Sequence, residues 1–142
     1  IQAPKLQAAQ AILVLDNKYI MQLRDDKPDI PSPGIWSLFG GMVNEGENPT
    51  EAIEREISEE LSISPHSYKY LWWVNYFSEH YQEPARSWIY WADVSEVWHS
   101  HVLLEGTDVR AFYYEELRTL KMPDFMRESL KRCHHRSMDR KI

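Results

Sequence analysis

The sequence predicts an α/β fold, an α/β/α sandwich, and three features carry that expectation. Short apolar runs recur between turn residues, as strands do. Two helical patterns are interspersed among them. The segment Tyr68–Phe77 is apolar on both alternating faces, with Tyr68, Tyr70, Trp72, Val74 and Tyr76 on one side and Leu71, Trp73 and Phe77 on the other. A sheet of such strands must be buried on both faces, by helices or by a second subunit. At 142 residues the chain has the size of one domain, expected over 1–142, with length enough for a real core.

The elements follow in order. Ala8–Leu15 is an apolar run that reads as a buried strand. Asp16-Asn17 reads as a tight turn into a second strand, Tyr19–Arg24. Asp25–Gly34 carries three prolines and a glycine and must be a loop. Trp36–Phe39 is a short strand that leads to Gly40-Gly41, where the backbone can approach other groups closely. Asn48 is a good N-cap, Pro49 suits the first helical position, and Glu51 stands three residues past the cap. Tyr68–Ser78 and Ser87–Val94 are aromatic-rich strands joined around Gln82-Glu83-Pro84, and Val109–Tyr114 is a last strand. A C-terminal helix runs from Asp124 to Arg132 or beyond, with Phe125, Met126, Ser129 and Leu130 partly on one side.

The helix after Asn48 carries the chemistry. Seven glutamates fall between Glu45 and Glu60, with Arg55 as the one basic residue among them. Like charges at i,i+4 cost roughly 0.2–0.5 kcal/mol per pair, so a missing cation is implied. At about 100° per residue, Glu56, Glu59 and Glu60 share one helix face. Ile53, Ile57 and Leu61 form an adjacent core-facing stripe. An oxygen-rich cluster of this kind suits a hard cation, Mg²⁺ or alternatively Mn²⁺. A solvated acidic face with lysine partners is the plain alternative for an arbitrary helix of this composition.

The whole strand–loop–helix unit resembles the Nudix hydrolase family. The family motif is Gly, five residues, Glu, seven residues, Arg-Glu, an aliphatic residue, any residue, Glu-Glu, any residue, Gly and an aliphatic residue. Here it runs Gly41, Glu47, Arg55-Glu56-Ile57, Glu59-Glu60, Ser62-Ile63. One required position departs: Ser62 stands where the family has glycine, at a helix exit that favours φ > 0. Phe39 precedes the double glycine where the family often has proline.

The resemblance implies a Nudix-type sandwich with a central mixed sheet and cleavage of a nucleoside diphosphate linked to another group. By carry-over, Glu56, Glu59 and Glu60 are the metal-binding and base positions, and the Gly40 carbonyl is a further ligand. Glu56 or Glu59 is favoured as the base, and Glu60 is the firmest ligand. Arg55, counted with the catalytic set, pairs with Glu47 to hold the loop against the helix. Glu51 and Glu54 project elsewhere, toward solvent. Family members recruit one more carboxylate from a downstream loop, and Glu105 before Gly106 is the candidate, with an ordinary turn as the alternative. Arg24 is a candidate phosphate contact and Asp124 a candidate reader of the base edge, although helix N-capping explains Asp124 equally well. Trp72, Trp73, Tyr76, Phe77, Trp88, Tyr90 and Trp91 offer a stacking wall, most of which must be core.

Composition bounds the partners. The net charge of −6 argues against a nucleic-acid polymer. No apolar run approaches the length of a membrane span, and no charged-then-apolar signal pattern opens the chain. A single cysteine, Cys133, suits a reducing, cytoplasmic setting. The aromatic content leaves room for a homodimer. His134-His135, in a basic tail, point in different directions on a helix and read as a solvated helix end. Three functions are consistent with these residues. The first is a metal-dependent pyrophosphohydrolase of nucleoside triphosphates, oxidised ones included. The second is a hydrolase of nucleotide sugars or ADP-ribose, and the third is a catalytically silent nucleotide sensor.

Overall fold

The computed structural model describes residues 3–24, 34–104, 106 and 108–140. The strands are β1 (Leu6–Leu15), β2 (Lys18–Leu23), β3 (Trp36–Ser37), β4 (Phe39–Met42), β5 (Lys69–Ser78), β6 (Glu83–Asp93) and β7 (Asp108–Phe112). The described residues also form two α-helices, α1 (Pro49–Leu61) and α2 (Asp124–Arg140), and short 3₁₀ turns at Trp98–Ser100 and Tyr114–Thr119. The expected Trp36–Phe39 strand is therefore split, with Leu38 between β3 and β4. The expected Ser87–Val94 strand is longer at its start, and α2 runs well past Arg132.

The sheet is mixed because β1 sits at its centre and serves three partners. Its length pairs in parallel with β6, from Leu6↔Ala85 to Val14↔Asp93. Its other edge is divided: Leu13–Leu15 pair antiparallel with β2, and Ala8–Ala11 pair antiparallel with β4. The β1–β2 turn is Asp16-Asn17, both at positive φ (47° and 67°), as a two-residue hairpin requires. β3 and β7 pair with β2, and β5 closes the other side against β6.

Each sheet face has its own core. On one side Ile53, Ile57 and Leu61 of α1 pack with Ala9, Ala11, Leu13 and Ile20. The alanines let the helix lie close to the central strand. On the other, Met126, Leu130 and Cys133 of α2 pack with Ile12, Met21, Leu38 and Ile89. This is the expected α/β/α sandwich. No described helix is long and apolar enough to cross a membrane.

One expectation needs correction. β5 is not buried on both faces: Tyr70, Trp73 and Phe77 are 45, 44 and 53 % exposed. β5 ends the sheet path, beyond the reach of α1, so its α1-facing side is only partly covered. The basic tail is exposed at Lys131, Arg132, His135, Arg136 and Ser137, as a solvated helix end is, but His134 is only partly exposed. His134 stacks on Tyr114, with ring centroids 3.9 Å apart, and its Nδ1 lies 2.9 Å from the Tyr19 hydroxyl. Arg132 sits over the Trp72 ring at 4.1 Å, a cation–π contact.

α1 is closed at both ends by its sequence. Asn48 Oδ1 accepts from Glu51 N–H at 2.8 Å while Glu51 Oε1 accepts from Asn48 N–H at 3.0 Å, a complete capping box. Ser62 ends the helix in the left-handed region (φ 56°, ψ 35°), where the family's glycine carries no Cβ penalty. Ser62→Gly is accordingly expected to stabilise the fold by about 0.5–1 kcal/mol. Urea denaturation checks this, and an unchanged midpoint would mean that the serine side chain offsets its own strain.

Candidate active site

β4 ends on Gly40-Gly41-Met42, and the loop after it returns the chain to the start of α1. This places the acidic face of α1 against the backbone of β4. Neither glycine is replaceable by accident. Gly40 has φ +148°, and a Cβ there would lie 2.0 Å from the Ala9 carbonyl oxygen on β1. At Gly41 a Cβ would lie 2.6 Å from the Glu56 carboxylate carbon, so this glycine makes the space that Glu56 occupies.

The three carboxylates of the acidic stripe have different surroundings. Glu60 is 2 % exposed. Its Oε1 accepts from Gly40 N–H at 3.0 Å and its Oε2 from Gln22 Nε2 at 3.3 Å. Glu56 is mostly covered, and its Oε1 accepts from Arg55 Nη1 at 2.8 Å. Glu59 is turned outward, half exposed, and meets Arg55 Nη1 at 3.3 Å. Glu56 and Glu60, with Gly40, Gly41 and Arg24, line one large cavity, whereas Glu59 does not. Glu51 and Glu54 are exposed, as expected.

Arg55 is the clamp of the loop. Its Nε and Nη2 grip both oxygens of Glu47 at 2.8 and 3.0 Å, a bidentate pair, and Nη2 also donates to the Met42 carbonyl at 3.0 Å. It thus ties β4, the loop and α1 together. The hydrogen bonds to Glu47, above all, hold its guanidinium even more firmly protonated than usual. Hydrogen bonding to Arg55, and then to the Asn44 N–H, holds the Glu47 carboxyl down at about 2. The charged form is the one the fold favours. Glu47 therefore stabilises fully above its ordinary value of 4.5, and that contribution is lost as pH falls toward about 2. The stability difference between the wild type and Glu47→Gln should be constant at neutral pH and shrink below pH about 4.5. A difference that is flat through that window in pH-resolved denaturation would exclude the clamp.

The donor set fits a hard divalent ion. The facing groups are all oxygen, and Mg²⁺ characteristically takes one or two carboxylates and completes its sphere with waters and substrate phosphates. Among the described residues no three His, Cys, Asp or Glu side chains enclose an ion by themselves. Two carboxylates on one wall of an open cavity match that mode of binding. Glu105 lies outside the described residues. Before it in the chain, Leu104 N–H donates to the Glu60 carbonyl at 2.9 Å. A Cβ on Gly106 would lie 3.1 Å from Gln22 Oε1.

The cavity, about 1010 Å³, runs from the α1 carboxylates across the sheet to the first turn of α2. Of the aromatics expected to offer a stacking wall, Tyr76 and Phe77 line it. Trp72 and Tyr90 are core, and Trp73 is on the exposed side of β5. Sequence reasoning missed Phe125, which stacks on Tyr76 at 4.1 Å and 13°, and Tyr81. Asp124 is the first residue of α2, exposed at the cavity, and among the described residues its carboxylate caps no helix N–H. Also missed were Gln10, Gln22 and Ser37, polar residues in strands; the Ser37 hydroxyl is buried without a partner among the described residues. Glutamine within an apolar strand was the available signal.

Comparison with known proteins agrees with the fold. The NUDIX domain family model matches residues 5–133. The MutT protein from Methanosarcina mazei Go1 superposes with a TM-score of 0.80 at 20 % identity, over 96 % of this chain and 98 % of that one. The NUDIX domain of Shewanella oneidensis NrtR complexed with ADP ribose gives 0.77 at 18 %, over 95 % and 90 %. The E. coli dihydroneopterin triphosphate pyrophosphohydrolase gives 0.74 at 16 %, over 89 % and 92 %. No curated protein matches by sequence. With the family model matched over residues 5–133, the chain belongs to the NUDIX domain family of hydrolases.

Proposed function

We propose that the chain is a divalent-metal-dependent pyrophosphohydrolase of nucleoside triphosphates, oxidised ones included, releasing nucleotide and pyrophosphate. The observation that carries this reading is the shared cavity. Its one wall holds Glu56 and Glu60, and its other holds the stacked rings of Tyr76 and Phe125. A phosphate chain suits the first, with a cation between, and a base suits the second.

In this reading Glu56, Glu59, Glu60, the Gly40 carbonyl and Glu105 would hold Mg²⁺ or Mn²⁺. The bound ion supplies charge neutralisation at the phosphate oxygens and acidifies water. Glu56 or Glu59 takes the proton of the attacking water. Arg55 acts through Glu56 and the loop, Arg24 meets phosphate, and Asp124 meets the base. Glu105→Gln should lower turnover and weaken metal activation without unfolding the protein. Unchanged kinetics across a Mg²⁺ titration would remove Glu105 from the site.

One observation favours a second reading, a hydrolase of nucleotide sugars or ADP-ribose. A cavity of about 1010 Å³ is ample for a longer ligand, and one structural neighbour is a NUDIX domain in complex with ADP ribose. Phosphate release from a panel of nucleotides, with and without Mg²⁺, separates the possibilities. Pyrophosphate from a triphosphate supports the first reading. Two monophosphates from a sugar nucleotide select the second. Binding without turnover would make the protein a nucleotide sensor.

A further inference from the structure

Gln10 stands where the strand pattern calls for an apolar residue. It is 7 % exposed, in the middle of β1, and lies on the cavity floor beside Ala8 and Leu6. Its Oε1 accepts the hydroxyl of Ser87 on β6. Ser87 is fully buried, and this is its side chain's one hydrogen bond among the described residues. Turning the amide over would leave the Ser87 proton buried without an acceptor, a costly state. The amide is therefore oriented, with its NH₂ away from Ser87. Among the described residues that NH₂ has no protein partner, and Gln10 is a lining residue of the cavity.

The surroundings define what could meet it. Leu6, Ala8 and Ala85 make a small apolar floor, and Tyr76 stacked on Phe125 makes a flat wall. A planar ring that covers this floor displaces water from the amide. It must then bring an acceptor of its own, or leave a donor unmet. On nucleobase edges, guanine O6 and thymine or uracil O4 are acceptors, whereas adenine N6 and cytosine N4 are donors. We propose that Gln10, held by Ser87, is a specificity residue that donates to the carbonyl oxygen of a keto-bearing nucleobase and rejects an amino group at that position. This rests on the nucleotide chemistry proposed above and names the class of base within it.

The test is a ratio. kcat/KM is measured with Mg²⁺ for uracil against cytosine, and for hypoxanthine against adenine, nucleoside triphosphates. The keto member of each pair is expected to be preferred by about tenfold or more. Gln10→Glu keeps the size and the Ser87 bond but presents an acceptor, and it should erase or reverse the preference. Ser87→Ala frees the amide to turn and should shrink the ratio to within about threefold. A merely structural role would lower all four substrates alike and leave the ratios fixed. A wild-type preference for the amino members, or ratios unmoved by both variants, would overturn the proposal. If no triphosphate is cleaved, the hydrolytic reading fails separately. Calorimetric binding of the four free nucleosides then still reads the keto preference.

Discussion

Glu56→Gln is expected to lower kcat by about 10²–10⁴-fold while the protein stays folded. The substitution is nearly isosteric. A glutamine carbonyl can accept the Arg55 Nη1 bond that Glu56 Oε1 accepts now at 2.8 Å, so the clamp on the loop survives. What is lost is a negative charge, and a proton acceptor, on the wall of the cavity. The variant should also need more Mg²⁺ for half-maximal turnover, since one of two wall carboxylates is gone. Steady-state kinetics across a Mg²⁺ series, beside a thermal melt, read both effects. A fall of less than about tenfold, roughly 1.4 kcal/mol in barrier, would take Glu56 out of the reaction.

Gly40→Ala should destabilise the fold by about 3–5 kcal/mol. Gly40 pairs with Gln10 across β4 and β1, at a positive φ that disfavours any side chain. The added Cβ would lie 2.0 Å from the Ala9 carbonyl oxygen and 2.8 Å from the Gln10 Cα. Both are backbone of the central strand, which cannot yield without opening its pairing with β4. Opening it also breaks the bond from Gly40 N–H to Glu60, so stability and site fail together. A typical domain has only about 5–15 kcal/mol to lose. Gly41→Ala offers the contrast. Its Cβ would meet the Glu56 carboxylate, the movable tip of a side chain, so activity should fall further than stability. Denaturant midpoints at constant slope decide between them. A Gly40→Ala protein as stable as the wild type would refute the close approach of β4 to β1.

Much of the site was readable from spacing, because it lies within one strand–loop–helix unit. Asn48, Pro49 and Glu51 mark the start of α1, and those contacts are three residues apart. Ile53, Ile57 and Leu61 mark its buried side, which is a matter of helical period. The pairing of Glu47 with Arg55 follows from the motif, and both oxygens are held. Spacing did not separate Glu59 from its neighbours. On a helical wheel it shares their arc, but the cavity lies to one side of that arc, where Glu56 and Glu60 reach it.

The remaining misses all depend on where distant segments come to rest. Gln22 is 38 residues from Glu60, and only the pairing of β2 beside β1 carries it there. Tyr76 of β5 and Phe125 of α2 stack because α2 packs against one face of the sheet. His134 and Arg132 meet the rings of Tyr19, Tyr114 and Trp72, which the tail's own charge does not reveal. The exposed aromatics of β5 mislead for the same reason. Alternation tells which side chains share a face, and the sheet order decides which faces a helix covers. Local spacing specified the helix that carries the acids, its caps, its register and its family. Those rest on neighbours within about two turns, whose geometry the backbone dictates. The tertiary structure alone decided which acids face the cavity, what orients Gln10 and what lines the opposite wall. Such contacts join chain segments tens of residues apart, and their existence depends on strand order and packing, not on any local period.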